Sequence, residues 1–184
     1  MSNSDDYRVA PLAWAKVDDV ADRLRQMLQL SDVPYFPIVD VLEKVLPRVL
    51  GDESDFSFQI GTHAEMGNAE GLTCPKGAFI RIREDVYEEA CNEVKRPRFT
   101  LAHELGHFLL HTGQNQPLAR ANPNEKLRAF ESAEKQADRF AATLLMPAQL
   151  ISVLDSEASI VDRFGVSKMA ARIRLEKLAK ARFT

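Results

Sequence analysis

The segment FTLAHELGHFLLH, residues 99–111, is the feature that most limits what this chain can fold into. The spacing of its apolar residues predicts an α-helix buried on most sides, whereas its polar residues all fall in one stripe of that helix. The stripe contains Thr100, His103, Glu104, His107 and His111. Burial of such a stripe costs free energy unless its members are paired, hydrogen-bonded or bound to a metal ion, and metal coordination is the simplest explanation.

Residues 103–107 read HELGH, which is the HExxH spacing. Histidines four residues apart on a helix lie about 6 Å from each other along the axis and point the same way, so one ion can bind both imidazoles. His103 and His107 are therefore predicted to be metal ligands, and the alternative is a pair of histidines satisfied by ordinary hydrogen bonds. Glu104 lies beside the ion, where we predict that it is the catalytic base acting on a metal-bound water. His111, one turn beyond His107, is predicted either to line the cleft or to have a structural role.

A second helix, predicted over residues 124–146, supplies the third ligand. Its helical wheel places Glu134 inside an apolar arc, and a carboxylate facing the core needs a strong partner such as the ion held by the two histidines. Asp138 is predicted to accept the free N–H of a ligating histidine, with a half-exposed acid as the alternative. Glu131 is the weaker ligand candidate, and Gln136 falls on the opposite, solvated face of the wheel.

The predicted ligand set also indicates the cofactor. A catalytic zinc normally takes three protein ligands and leaves a fourth position to water, whereas a structural zinc normally takes four protein ligands. Zn²⁺ is the predicted cofactor, although two imidazoles and a carboxylate also accept Mn²⁺ or Fe²⁺.

Residues outside these two helices predict an α+β fold. Helices are predicted over residues 14–30 and over IVDVLEKVL, with the latter ending at Pro47. Residues 51–83 contain most of the glycines and the β-like pieces FSFQI and AFIRIR, which predict a small antiparallel or mixed sheet. After Pro97 the chain is predicted to be mostly helical.

This pattern predicts two units, a metallopeptidase-like domain over residues 11–147 and a helical extension over residues 148–184 that packs on it. Residues 1–10 are polar and are predicted to be mobile.

Composition excludes several classes of protein. The 184 residues are 45% hydrophobic and 28% charged, which is typical of a globular protein. No apolar run approaches the ~20 residues needed to span a bilayer, and the N-terminus lacks the features of a signal peptide. Cys74 and Cys91 lack a metal-ligand spacing and are expected to be thiols. A cytoplasmic protein with no membrane partner is therefore expected.

The C-terminal segment SIVDRFGVSKMAARIRLEKLAKARF has the helix, glycine-containing turn and helix of a helix-turn-helix. The net charge of −3 gives no general attraction to nucleic acid, but this segment is locally basic. One interpretation is a DNA-binding or regulatory module, and the other is that the apolar residues pack on the protease while the basic residues face solvent. The basic residues are Lys168, Arg172, Arg174, Lys177, Lys180 and Arg182.

The motifs RFTLAHELGHFLLH and EKQADRFAATLLMP together resemble those of the ImmA/IrrE family of bacterial and phage zinc metallopeptidases, and VDRFGVSKMAARIRL resembles the segment that follows in that family. The resemblance covers residues 75–176. It implies a zincin-like fold, with His103, His107 and Glu134 as ligands and Glu104 as base. It also implies a protein substrate, a helix-turn-helix transcriptional repressor, which the enzyme cleaves. Many relatives carry an acid at the position of Gln136.

Zincin-like enzymes usually hold the substrate as an added strand of their sheet. The segment AFIRIR is our candidate for the edge strand that would pair with it. The residues concerned are Phe79, Ile80, Arg81 and Ile82.

Overall fold

The computed structural model describes residues 6–51, 53–113, 119–120 and 127–182. Its described part is mostly helical with a small mixed sheet, which confirms the predicted α+β class. In chain order the elements are β1 Tyr7–Arg8, α1 Trp14–Met27, α2 Ile38–Asp40, α3 Leu46–Leu50, β2 Ser57–Gly61, α4 His63–Met66, β3 Gly71–Thr73, β4 Phe79–Arg83, α5 Glu84–Cys91, α6 Lys95–His111, β5 Ala119–Arg120, α7 Ala133–Leu145, α8 Glu157–Phe164 and α9 Lys168–Arg182.

Three short helical stretches of other kinds complete this order. A π-helical stretch, Val41–Val45, joins α2 to α3. The 3-10 turns Ala129–Glu131 and Ala148–Leu150 precede and follow α7.

The three-stranded sheet has the order β2-β4-β3, with β2 parallel and β3 antiparallel to β4. The alternation in FIRIR buries Ile80 and Ile82 completely, as the period of a strand requires. The prediction that Phe79, Ile80, Arg81 and Ile82 form an edge strand is wrong, because β4 lies in the middle of the sheet. Gly71–Thr73 is too short to stand out in the sequence, yet it pairs with β4 and forms the edge itself.

Helix boundaries differ from the sequence predictions at three places. The first helix ends at Met27, not at residue 30. The second continues past Pro47, because this proline occupies the first turn of α3, where its missing N–H is not needed. The helix predicted over residues 124–146 corresponds to α7. It begins at Ala133, since the Ser132 side chain accepts a hydrogen bond from the Lys135 N–H and caps it. Residues 124–126 of that prediction lie outside the described residues.

The layers follow from contacts between elements. Helix α7 packs between α1 and α6, and α6 in turn packs against β3 and β4 of the sheet. Helix α6 is therefore buried on most sides, as its sequence predicts. Its neighbours contribute to a single apolar core that includes Val17, Ala21, Phe36, Ile38, Leu42, Ile80, Ile82, Leu101, Leu105, Phe140, Leu144, Ile160 and Phe164.

The C-terminal helices α8 and α9 belong to the same core. Phe164, Val166 and Ala171 are buried in it, whereas Ile173 is exposed. The turn between the helices contains Gly165 in the left-handed conformation, where glycine has no steric penalty.

Arg98 of α6 connects this helix to two distant segments. Its guanidinium donates hydrogen bonds to the carbonyl of Gly165 at 3.0 Å and to that of Phe36 at 2.8 Å, and it stacks on the ring of Tyr35. A buried cation with these partners joins the C-terminal helices and the segment before α2 to the metal-motif helix.

The N-terminal segment is held in place rather than mobile from residue 6 onward, which corrects our expectation; residues 1–5 lie outside the described residues. Strand β1 pairs with β5, and the N–H of Val9 donates to the carbonyl of Glu131 at 2.9 Å. Asp6 accepts hydrogen bonds from the Ser132 hydroxyl and the Glu134 N–H at the start of α7.

Two further expectations concern membranes and thiols. Within the described ranges, no helix combines the length and the apolar character needed to cross a bilayer. Cys74 and Cys91 are free thiols, as expected. The cytoplasmic location stays a prediction.

Candidate metal centre

Close packing of α6 against α7 positions the site. At Gly106 a Cβ atom would lie 3.0 Å from Phe140 Cδ1 and 3.2 Å from Ala137 Cα, so the two backbones approach more closely than larger residues would permit. His103 and His107, which flank Gly106 on α6, face the first turn of α7, which carries Glu134.

Three candidate ligand side chains converge there. The Nε2 atoms of His103 and His107 are 2.9 Å apart, and each lies 3.3 Å from an oxygen of Glu134. Ligands at about 2.0–2.1 Å from a tetrahedral zinc are separated from one another by roughly 3.3 Å, so the spacing fits one such ion. The cluster of His103, His107 and Glu134 could therefore hold a metal ion.

Electrostatics around the cluster favour positive charge. Burial alone would lower the pKa of His103, but hydrogen bonds with Asp138 and Glu134 outweigh it and raise that pKa to about 10. Burial would raise the pKa of Glu134, but its hydrogen bonds with both histidines hold it well below its usual range. A pocket that stabilises an imidazolium among carboxylates provides the same negative potential that a divalent cation needs.

The surroundings of Glu134 differ from those that the helical wheel predicted. Phe130 lies in the 3-10 turn before the helix and is exposed, because α7 begins only at Ala133. Glu134 is in the first turn of α7 and is half-buried, at the end of the helix dipole that favours a negative charge. Glu131 lies in the turn before the helix.

Asp138 contacts His103 from the side opposite the proposed ion. Its Oδ1 lies 3.2 Å from Nδ1 of His103. A carboxylate there accepts the Nδ1–H, which leaves the lone pair of Nε2 free to bind a metal.

Gln136 corrects a sequence prediction, and the position of His111 agrees with the structural alternative given for it. Gln136 is fully buried and not on a solvated face, because the N-terminal segment covers that side of α7. His111 is also buried, between His107 and Gln136, and does not line an open cleft. Burial and the neighbouring His107 lower the pKa of His111 to about 4, so it is neutral at physiological pH.

The catalytic-base candidate has partners that sequence reasoning missed. Thr73 of β3 donates its hydroxyl to Glu104 Oε2 at 2.7 Å, and the Glu104 carbonyl lies 3.0 Å from the same hydroxyl. At Gly71 a Cβ atom would lie 2.5 Å from Glu104 Cγ, so only glycine leaves room for this carboxylate. The segment GLT has no motif spacing that could have indicated either residue.

The residues of β4 take no part in the cluster. Arg81 donates to Gln59 on the neighbouring strand, at 2.9 Å from Nε and 2.6 Å from Nη2, and the two isoleucines are buried in the core. The strand that contacts the site is β3.

A helix carrying HExxH, with a carboxylate from a second helix against its two histidines, defines a metallopeptidase site. Comparison with known families agrees with this class. Residues 62–176 match the IrrE N-terminal-like domain family of peptidases, Peptidase_M78. Because the match spans more than half of the sequence, the chain belongs to this family, the ImmA/IrrE metallopeptidases. No curated protein matches the chain.

Proposed function

We propose that this protein is a zinc-dependent endopeptidase with a zincin-like arrangement of its two motif helices. The observation that carries the proposal is the convergence of His103, His107 and Glu134, whose ligand atoms lie within 4.8 Å of one another, beside Glu104. Membership in a metallopeptidase family supports the same reaction class.

The two histidines and Glu134 would hold the ion. Zn²⁺ suits two imidazoles and a carboxylate, and Mn²⁺ or Fe²⁺ are the other ions that this donor set accepts. When bound, the ion polarises the scissile carbonyl and makes water a stronger nucleophile at neutral pH.

Glu104 serves as general base in this proposal. It takes a proton from the attacking water and returns it to the leaving amine. Thr73 holds Oε2 of the carboxylate, which leaves Oε1 for the proton. Asp138 keeps the Nδ1 proton on His103, so that Nε2 stays directed at the ion.

The free edge of β3 is the proposed site of the substrate backbone. Within the described residues β3 pairs only with β4, and its Leu72 side chain is exposed. An extended segment of substrate added to this edge would lie next to Glu104, since Thr73 of the same strand contacts that carboxylate. The family resemblance indicates a protein substrate, and we propose a helix-turn-helix transcriptional repressor.

Direct binding of DNA by α8 and α9 has less support. Arg174 is buried and donates to the Met146 carbonyl at 2.9 Å, so it stabilises the packing of α9 instead of facing a phosphate. Of the six basic residues in this segment, Arg174 is therefore unavailable to nucleic acid.

The test combines metal content with proteolysis. Purified protein is analysed for metal by elemental analysis, and a set of purified helix-turn-helix repressors is incubated with it and examined by mass spectrometry. We expect about one equivalent of zinc in the unsubstituted protein and in Glu104→Gln, and none in Glu134→Ala. Cleavage is expected only from the unsubstituted protein.

Glu131→Ala is the matched control, because Glu131 is a nearby acid outside the cluster, and this variant should bind zinc normally. Undiminished zinc in Glu134→Ala would refute the third ligand. Equal cleavage by Glu104→Gln and by the unsubstituted protein would refute the catalytic base.

A further inference from the structure

Gln136 lies at the end of a chain of hydrogen bonds that leads to the metal cluster. Its Nε2 is 3.0 Å from the carbonyl oxygen of Ala10 and 2.8 Å from that of Phe130. Its Oε1 is 3.0 Å from Nε2 of His111. The Nδ1 atom of His111 is in turn 3.0 Å from Nδ1 of His107.

The two carbonyl groups determine which way the amide of Gln136 faces. Carbonyl oxygens only accept hydrogen bonds, so the –NH₂ group must face Ala10 and Phe130, and its two N–H bonds satisfy both. The reverse orientation would place the amide oxygen against two other oxygens in a fully buried position, which is unfavourable. Oε1 therefore faces His111.

This orientation determines the tautomer of His111. In the described structure His111 is buried and its ring nitrogens contact an amide and an imidazole but no carboxylate, so burial favours the neutral ring. An amide oxygen can only accept, so this neutral ring must carry its proton on Nε2 and must leave Nδ1 as an acceptor. The only group that faces this acceptor in the described structure is Nδ1 of His107, which must then be the donor. A proton on Nδ1 of His107 leaves the lone pair of its Nε2 free.

We propose that Gln136 and His111 are positioning residues that hold His107 in the tautomer required for metal binding. The inference rests on the proposed metal site. The tautomers of the two ligating histidines are then fixed in different ways. His103 contacts the carboxylate of Asp138 directly. His107 is held by a neutral chain of hydrogen bonds that begins at backbone carbonyls. These hydrogen bonds add no charge behind His107.

A role in core packing alone does not account for these contacts. An apolar side chain would fill the space of Gln136 without the cost of burying an amide, yet every polar atom of that amide has a partner. The orientation of the Gln136 amide fixes which atom donates in its bond with a neutral His111, and that tautomer in turn makes His107 the donor in the next bond.

The first experiment reads the tautomers directly. Two-bond 1H–15N correlation spectra distinguish protonated from bare imidazole nitrogens, and the chain contains only four histidines. In metal-free protein at neutral pH we expect His111 to carry its proton on Nε2 alone. A proton on Nδ1 of His111 would overturn the proposal, and this measurement needs no variant that might fail to fold.

The second experiment measures zinc affinity by competition with a chelator. Gln136→Met keeps the volume of the side chain and removes the acceptor from His111, so we expect zinc affinity to fall about 10- to 100-fold. The His111 resonances should also show a mixture of tautomers. His111→Leu removes the next link and should have at least as large an effect.

Thr143→Val is the matched control, since Thr143 is a buried, hydrogen-bonded residue of the same helix that contacts Asp18 on the side away from the cluster. It should lower stability but leave zinc affinity and the His111 spectrum unchanged. Equal zinc affinity in Gln136→Met and the unsubstituted protein would overturn the positioning role. Absence of zinc binding in the unsubstituted protein would refute the proposed function instead, because the tautomer of His111 is read without metal.

Discussion

A single hydroxyl sets the environment of the catalytic-base candidate. Glu104 is buried, and Thr73 donates to its Oε2 at 2.7 Å while Gly71 leaves the space that it fills. The carboxylate therefore has one orientation before any substrate binds. Preorganisation of this kind lowers the cost of reaching the transition state, because the group need not be reoriented during the reaction.

Thr73→Val should lower kcat about tenfold and leave KM and zinc content nearly unchanged. Removal of a hydrogen bond to a charged group costs about 1.5–3 kcal/mol, and here the loss falls on the orientation of the base. Steady-state kinetics on a cleaved repressor would measure it. Thr73→Ser keeps the hydroxyl and should retain most of the activity, and a fully active Thr73→Val would exclude the positioning of Glu104 by this residue.

At this scale the sequence predicted the residues that have a motif or helical-wheel signal, including Glu134 and Asp138, and missed the contacts that have no such signal. The spacing of His103 and His107 is determined within one helix, so the sequence alone brings them together. Gln136 lies 25 residues from His111 and Thr73 lies 31 residues from Glu104, and these pairs meet only through tertiary packing. The wheel misplaced Gln136 because it did not include the N-terminal segment, which covers that face.

Among the described elements, α6 packs against the widest set of neighbours. It packs against α7, α5 and the sheet, and Arg98 connects it to the turn before α9 and to the segment before α2. A buried guanidinium with two carbonyl partners is costly to disturb, because its loss removes a hydrogen bond from each carbonyl, although the Phe36 carbonyl still accepts from the Ile38 N–H.

Arg98→Met should lower the free energy of unfolding by about 2–4 kcal/mol, since two buried hydrogen bonds and the stacking on Tyr35 are lost. Urea unfolding followed by circular dichroism would measure the change. Arg96→Met provides the control from the same helix, because the Arg96 side chain is 70% exposed and pairs only with Glu70 at the surface, so its loss should cost less than about 1 kcal/mol. Equal effects of the two substitutions would contradict the role given to Arg98.

Elements with a strong period were predicted better than their neighbours. The strand alternation of FIRIR and the apolar spacing of α1 and α6 are encoded within each segment. The central place of β4 was not, since it depends on pairing with the three residues of β3. Helix ends were also missed where a cap such as Ser132 decided them.

At the scale of the whole molecule, the core extends well beyond the segment that matches the family. Helix α1 covers α7, and several core residues precede residue 62. These residues are Val17, Ala21, Phe36, Ile38, Val41, Leu42 and Leu46. The matched segment alone would expose the apolar surfaces that they cover.

A chain shortened to residues 62–184 should therefore fail to unfold cooperatively. Its α7 would lose the contacts with α1, and Arg98 would lose the carbonyl of Phe36. Urea titration with circular dichroism and dye binding to exposed apolar surface would test this. A sharp transition with the midpoint of the full chain would show that the first 61 residues are dispensable for the fold.

The contacts that support the metal cluster begin earlier in the chain than the family similarity does, because they include the carbonyl of Ala10. The similarity begins at residue 62, yet the hydrogen bonds that orient Gln136 begin at residue 10. Relatives with identical ligands can therefore differ in metal affinity if their N-terminal segments differ. A change in this N-terminal backbone would alter the metal affinity, and a comparison restricted to active-site motifs would not include it.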